Sequence, residues 1–154
     1  MNAQRGEKVA NRQRPLEIVQ VALIVRNIEA TVERLNALWK IGPFEIREVD
    51  VDDAIVHGRK ARVKARLAFA KAGPIDLELI EPQEGDNIYW EFLQARGEGV
   101  HHLKIPAQDF EGELASLQEK GIGVLQSADT ARATYAYLDT EGAFGVIFEL
   151  LQRR

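Results

Sequence analysis

The chain carries one pattern twice, and this constrains its fold more than any other feature. The segments QVALIVRNIEATVERL and HLKIPAQDFEGELASL align without a gap: His102 lies 82 residues after Gln20, and the same offset pairs Asn27 with Asp109, Glu29 with Glu111, Val32 with Leu114 and Leu35 with Leu117. A repeat on this scale is a duplicated structural unit, and each copy needs the other to bury its apolar face. In the first copy EIVQVALIV is β-rich, and NIEATVERLNALW spaces Ile28, Val32, Leu35 and Trp39 as a helix does, with Asn27 where an N-cap belongs. After IGP come three strand candidates, FEIREVDV, ARVKARLAFA and PIDLELIEP, with His57 and Gly58 in the loop between the first two. A connecting helix, DNIYWEFLQAR, is expected to be capped by Asp86 and stopped by Gly97. The second copy repeats the order: strand VHHLKI, helix DFEGELASLQEK ended by Gly121, then strands IGVLQS, ATYAYLD and GVIFELLQ. The pattern predicts an α+β chain of two tandem βαβββ modules in one domain over residues 16–151, with module one at 16–82, a linker helix at 86–96 and module two at 99–151. Residues 1–15 read as a loose polar arm.

Composition removes several classes of function. A net charge of −4 and a pI near 5.5 give no basic field for a phosphate backbone, so no nucleic-acid partner is expected. No run of about 18 apolar residues is present to cross a bilayer, and the start, MNAQRGEKVANRQRPL, lacks the apolar segment of a signal peptide. The absence of cysteine rules out disulfides, thiolate metal ligands and a thiol nucleophile, and fits a cytoplasmic protein.

The chemistry concentrates in GEGVHHLKI, which holds two of the three histidines side by side. Successive strand residues face opposite ways, so His101 and His102 are not expected to serve the same site. Each module opens its first strand with a polar residue, Gln20 or His102, and closes its last with a glutamate inside an apolar run, Glu78 between Leu77 and Leu79 or Glu149 between Phe148 and Leu150. A carboxylate so placed costs several kcal/mol unless paired or coordinated. If the first and last strands of each module are neighbours, all four side chains converge on one cation. The plainer reading keeps Gln20 and His102 as satisfied core polar groups and turns the glutamates to solvent. Four such residues at repeat-related positions favour the common site.

FLQARGEGVHHLKI, with IDLELIEP before it and YAYLDTEGAFGVIFELL after it, resembles the vicinal oxygen chelate superfamily, which includes glyoxalase I, methylmalonyl-CoA epimerase, extradiol dioxygenases and antibiotic-resistance proteins. The resemblance covers about residues 16–151 and is strongest to the epimerases and lyase-like members. It implies paired βαβββ modules forming a cupped mixed sheet, helices on its outer face, around a divalent metal held by Gln20, Glu78, His102 and Glu149. The epimerases usually carry histidine at the position of Gln20; glutamine there resembles animal-type glyoxalase I. His102 then faces the cup, His101 packs on the helix-covered side, and His57 is an exposed loop residue.

One imidazole and three oxygen donors suit zinc, cobalt, nickel, manganese or iron. With one histidine in the set, oxygen activation by a two-histidine, one-carboxylate iron site is disfavoured. Lewis-acid chemistry remains: a metal-stabilised enolate formed as a proton leaves the carbon beside a carbonyl. Glu149 or Glu78 is a candidate base, and the resemblance to the epimerases adds Glu48 on the second strand. Lys104 shares a face with His102 and is a candidate for holding a substrate carboxylate or enolate, or else snorkels to the rim. Arg62, Lys64 and Arg66 alternate along one strand, either for coenzyme A phosphates or as a solvated stripe. The expected activity is that of a metal-dependent epimerase, isomerase or lyase on an acyl-CoA such as methylmalonyl-CoA. Glyoxalase-type isomerisation and non-catalytic small-molecule sequestration are the alternatives. A homodimer is expected by analogy, with the site either within one chain or shared by exchanged modules.

Overall fold

A computed structural model describes residues 14–154. The arm expected over residues 1–15 lies outside the described residues except for its last two, and there Arg14 donates to the Pro106 carbonyl and to the Glu113 carboxylate. Module one runs β1 (Gln20–Ile24), α1 (Ile28–Leu38), β2 (Glu45–Val56), β3 (Arg59–Ala72) and β4 (Ile75–Pro82). The linker helix α2 (Ile88–Arg96) leads to β5 (Gly99–Pro106), α3 (Phe110–Glu119), β6 (Val124–Asp129), β7 (Ala133–Leu138), a short α4 (Glu141–Phe144) and β8 (Ile147–Arg153). The βαβββ order is therefore present twice. The eight strands close into a mixed barrel in the order β1-β4-β3-β2-β6-β7-β8-β5. Within each module the first and last strands are parallel neighbours, β1 with β4 and β5 with β8. The modules join where β1 runs antiparallel to β5 and where β2 meets β6.

The period of two sorts the side chains. Gln20, Ala22 and Ile24 face inward with Glu78, Ile80, Val63 and Ala65, while Val25, Leu79 and Ala68 face outward against Ile28, Val32 and Leu35 of α1. Helix α3 covers the other half in the same way, with Phe110, Leu114 and Leu117 over Ala136, Leu138 and Leu150. These two module helices take the outer face as expected. Helix α2 does not: its Ile88, Tyr89 and Leu93 pack with the inward-facing Ala22, Ile24, Ala54 and Ile80, so it plugs one end of the barrel's interior.

Several local expectations change. Asn87, not Asp86, caps α2; its Oδ1 accepts from the amides of Tyr89 and Trp90, and the side chain is fully buried. Gly97 does end that helix, at φ 77°. Trp39 lies beyond the last turn of α1 and is 65% exposed instead of continuing its apolar stripe. The loop between β2 and β3 is only His57 and Gly58, both at positive φ (49° and 77°), a two-residue hairpin turn that lets both strands run longer than their apolar cores suggested. The helix α4 inside TEGAFG was not anticipated, being only four residues long. Among the described residues no helix is long and apolar enough to cross a membrane.

Candidate metal and substrate site

Gln20, Glu78, His102 and Glu149 meet inside the barrel. Their backbone positions are diagonal, because Gln20 pairs with Asp76 and Glu78 with Ala22, while His102 pairs with Ile147 and Glu149 with Lys104. The side chains close the gap. Gln20 Nε2 donates to Glu78 Oε2 at 2.7 Å, and His102 Nε2 stands 3.4 Å from Glu78 Oε2 and 3.1 Å from Glu149 Oε2. Two donors come from each module, and all four belong to one chain. Each of the four is at most 5% exposed.

Lys104 completes the cluster. It is 8% exposed, its Nζ donates to Gln20 Oε1 at 2.9 Å and it lies 3.5 Å from Glu149 Oε2. Burial alone would raise the Glu149 carboxyl, yet the Lys104 ammonium and His102 hold it below the usual carboxylate range. Burial likewise disfavours a charged His102, but Glu149 and Glu78 outweigh it and raise that imidazole above its ordinary value. His102 Nε2 and Glu149 Oε2 are buried without a well-aligned hydrogen-bond partner. The two atoms stand 3.1 Å apart, so that an ion beside them would meet both, and one imidazole with three oxygen donors is a set that a divalent cation satisfies. With the side chains as they stand, no group of three His, Cys, Asp or Glu residues forms a ready-made metal cage among the described residues; Gln20 and Lys104 engage the carboxylates instead.

The two histidines do not face opposite ways. In the β1–β5 ladder Ala22 stands opposite His102 and Leu23 opposite Val100, which leaves His101 as the extra residue of a β-bulge. The bulge turns both rings inward, with centroids 5.3 Å apart and Nδ1 atoms at 3.0 Å, one donating and the other accepting. His101 does pack against a helix, edge-on to Tyr89 and Phe92 of α2, but on the inner side. Burial first, then the neighbouring His102 charge, push its pKa down to about 3, so it is neutral. His57 is half exposed in its turn and pairs with Glu91 at 2.9 Å.

A cavity of about 1020 Å³, open to the surface, reaches the cluster at Glu78, Lys104 and Glu149. Glu48 borders it but is exposed, and its strand position alternates with those of Arg47, Val49 and Val51, which pair with the inward Leu67, Ala65 and Val63. The strand thus presents Arg47 to the interior and Glu48 to the other face, opposite Arg66. Arg47, stacked over Phe69 at 5.1 Å, is a cavity residue that sequence reasoning missed. The signal was available: the valines at 49 and 51 mark the odd positions as inward. Tyr89, Tyr135 and Tyr137 line the wall, the Tyr89 and Tyr137 hydroxyls 2.6 Å apart, and burial raises all three phenols so that they keep their protons. Arg62, Lys64 and Arg66 lie away from the cavity and pair with Asp50, Glu84, Glu29 and Glu81.

The sequence matches the model of the glyoxalase/bleomycin resistance protein/dioxygenase superfamily over residues 19–137. An uncharacterised protein, YqjC, of Bacillus subtilis is 28% identical over 92 residues, 58% of this chain and 66% of the relative, so the match falls just short of two thirds of that relative's length. A methylmalonyl-CoA epimerase variant of Streptomyces coelicolor, in complex with 2-nitronate-propionyl-CoA, superposes with a TM-score of 0.69 at 25% identity, covering 89% of this chain and 94% of its own. A hypothetical protein of Bacillus halodurans gives 0.68 at 22% identity, over 92% of this chain and 96% of its own.

Proposed function

Because the chain belongs to the glyoxalase/bleomycin resistance protein/dioxygenase superfamily, we propose that its cup serves a divalent-metal-dependent epimerase, isomerase or lyase that removes a proton from the carbon beside a substrate carbonyl. Gln20 Oε1, Glu78, His102 Nε2 and Glu149 would hold the metal. The observation that carries this reading is the pair of buried, unsatisfied atoms, His102 Nε2 and Glu149 Oε2, facing each other at 3.1 Å with Glu78 and Gln20 beside them. When bound, the cation supplies Lewis-acid stabilisation of the charge that the departing proton leaves on the carbonyl oxygen.

The chain's own groups do the rest. Glu149, kept ionised by Lys104 and His102, is the better candidate base; Glu78 is tied to the Gln20 amide. Tyr89, Tyr135 and Tyr137 wall the site against water and remain O–H donors. Lys104 and Arg47 set positive charge toward an anionic group of the substrate. Glu48, exposed at the rim, is the weaker base candidate.

An acyl-CoA thioester is the first substrate to test, supported by the fold shared with an epimerase that binds a propionyl-CoA analogue and by a cavity large enough for an extended ligand. Arg132 and Arg153 line that cavity and replace Arg62, Lys64 and Arg66 as candidates for the phosphates. With the metal-loaded chain in deuterium oxide, methylmalonyl-CoA should exchange its C2 proton, read by NMR, and E149Q should slow the exchange by about 100-fold or more. No exchange under full metal loading removes that substrate.

Gln20 favours a second reading, glyoxalase-type isomerisation of a glutathione hemithioacetal, which formation of lactoylglutathione from methylglyoxal and glutathione tests directly. Failure of both assays in a chain that also binds no zinc, cobalt or nickel would leave non-catalytic sequestration. A homodimer in the cytoplasm belongs to the same proposal, and sedimentation equilibrium tests the assembly.

A further inference from the structure

Lys104 occupies a place the fold does not require to be charged. The equivalent position of the first module, 82 residues earlier, is Ala22, which is fully buried. The same strand position in the other half of the barrel is thus filled by a methyl group. In β5 the register sets Lys104 opposite Gln20 on one side and Glu149 on the other, between two of the four candidate donors. An amide offers a metal only its oxygen, because its nitrogen bears two protons and no free lone pair. Lys104 Nζ already bonds that oxygen at 2.9 Å, while the nitrogen donates to Glu78 at 2.7 Å. The Gln20 amide is thus held at both ends, with its one donor atom taken by a cation. The same ammonium stands 3.5 Å from Glu149 Oε2. An ammonium and a divalent ion sharing these two groups, shielded from water, repel each other strongly.

Resting on the reading of Gln20, Glu78, His102 and Glu149 as metal donors, we propose that Lys104 is a resident cation that competes with the divalent ion: its ammonium leaves Gln20 Oε1 and Glu149 before the four donors close on the metal. Metal binding is then weaker and more readily reversed than the donor set alone would give. The structure holds a place for the displaced ammonium. A second pocket, of about 360 Å³, is lined by Lys104, Gln20, Asp76, Leu151 and Arg153, so Lys104 borders both this pocket and the cup. A rotation of the lysine's flexible stem moves its charge from Glu149 toward the Asp76 carboxylate, which Lys71 now engages at 2.6 Å.

The test titrates the full chain, stripped with a chelator, with cobalt(II) and zinc(II) by calorimetry, comparing wild type, K104M, K104A and H102A. Removing one like charge beside the ion should tighten binding in K104M and K104A by at least about tenfold, whereas general damage to the site would weaken it. If the lysine variants bind no more tightly than a wild type whose binding H102A abolishes, the competition is refuted and the donor set stands. If neither wild type nor lysine variants bind, or H102A binds as well as wild type, the donor set is refuted and the competition with it. Should the variants fail to fold, wild type decides alone: acetic anhydride labelling of Lys104, quantified by mass spectrometry, should rise several-fold on saturation with cobalt, and unchanged labelling overturns the proposal.

Discussion

His101 is a neutral imidazole enclosed by Tyr89, Phe92, Tyr137 and His102, and that enclosure fixes a pH dependence. In the unfolded chain its pKa is 6.5; in the fold it is about 3, because burial and the neighbouring histidine oppose the charge. Between those values the unfolded state binds a proton the folded state refuses, so stability falls as pH falls, by up to about 1.4 kcal/mol per unit. The other shifted groups of the cluster act outside the upper part of that window. His102, raised in the fold, contributes fully below 6.5 and loses its contribution as pH rises through its folded pKa; Glu149, lowered, loses its contribution only as pH falls below 4.5. Among these three groups, the change from pH 6.5 to 4.5 belongs to His101. Metal-stripped protein should lose roughly 2–3 kcal/mol there by urea denaturation, and H101F, though less stable at neutral pH, should lose much less over the same range. Equal slopes would refute the assignment. His102, Gln20, Glu78 and Glu149 were legible in the sequence because strand alternation and the repeat both pointed to them. The inward turn of His101 was not, since a bulge depends on the partner strand's register and leaves no mark in its own sequence. Arg47 was legible too, because Val49 and Val51 mark the odd positions of β2 as inward and leave Glu48 on the other face.

At the scale of elements, helix starts and sheet seams differ in how much of their stability is local. Asn87 caps α2 with two backbone bonds, and the cap is fully buried; Asp86 makes no bond at the helix start. N87A should cost about 1–2 kcal/mol in chemical denaturation, while D86A should stay within about 0.5 kcal/mol of wild type. The reverse order would restore Asp86 as the cap. Sequence alone offered two adjacent residues of equal capping propensity, and only the turn preceding the helix chooses between them. The two seams joining the modules are also unequal. β1 and β5 pair through five residue positions, whereas β2 and β6 pair through two, Ile55 with Ser127 and Val56 with Gln126. A short ladder has few bonds to break before it opens. The His57 amide, which donates to the Leu125 carbonyl across the β2–β6 seam, should therefore exchange with solvent faster than the Val19 amide, which donates to the Lys104 carbonyl across the β1–β5 seam, measured by hydrogen exchange on native protein; equal protection would show that the barrel opens as one unit.

The whole molecule joins two modules that are each unfinished. The repeat revealed the duplication because related helices and first strands kept their spacing, but the cupping of the sheet was legible only through likeness to a known family, and its closure into an eight-stranded barrel was not: strand order is a tertiary choice that many strand sequences permit. Closure places two of the four proposed donors, Gln20 and Glu78, in the first module and the other two, His102 and Glu149, in the second. A cation bound to all four is then a cross-link between halves, and its binding energy is module-association energy. Cutting the chain between Glu84 and Gly85 leaves β1–β4 on one fragment and α2 to β8 on the other, with Trp39 and Trp90 on separate pieces. Each fragment alone exposes unpaired edges on both flanks; mixed, they regain the β1–β5 and β2–β6 ladders. At a metal concentration 100 times the dissociation constant, association should tighten by about 2.7 kcal/mol, roughly 100-fold, read from Trp90 fluorescence as fragment one is added. H102A should abolish that gain; because it also removes the buried contact of His102 with Glu78 of the first module, the gain is read for each variant against its own metal-free association. If cobalt or zinc binds the fragment pair without tightening it, the ion is held by one module, and the shared cup is not the metal site.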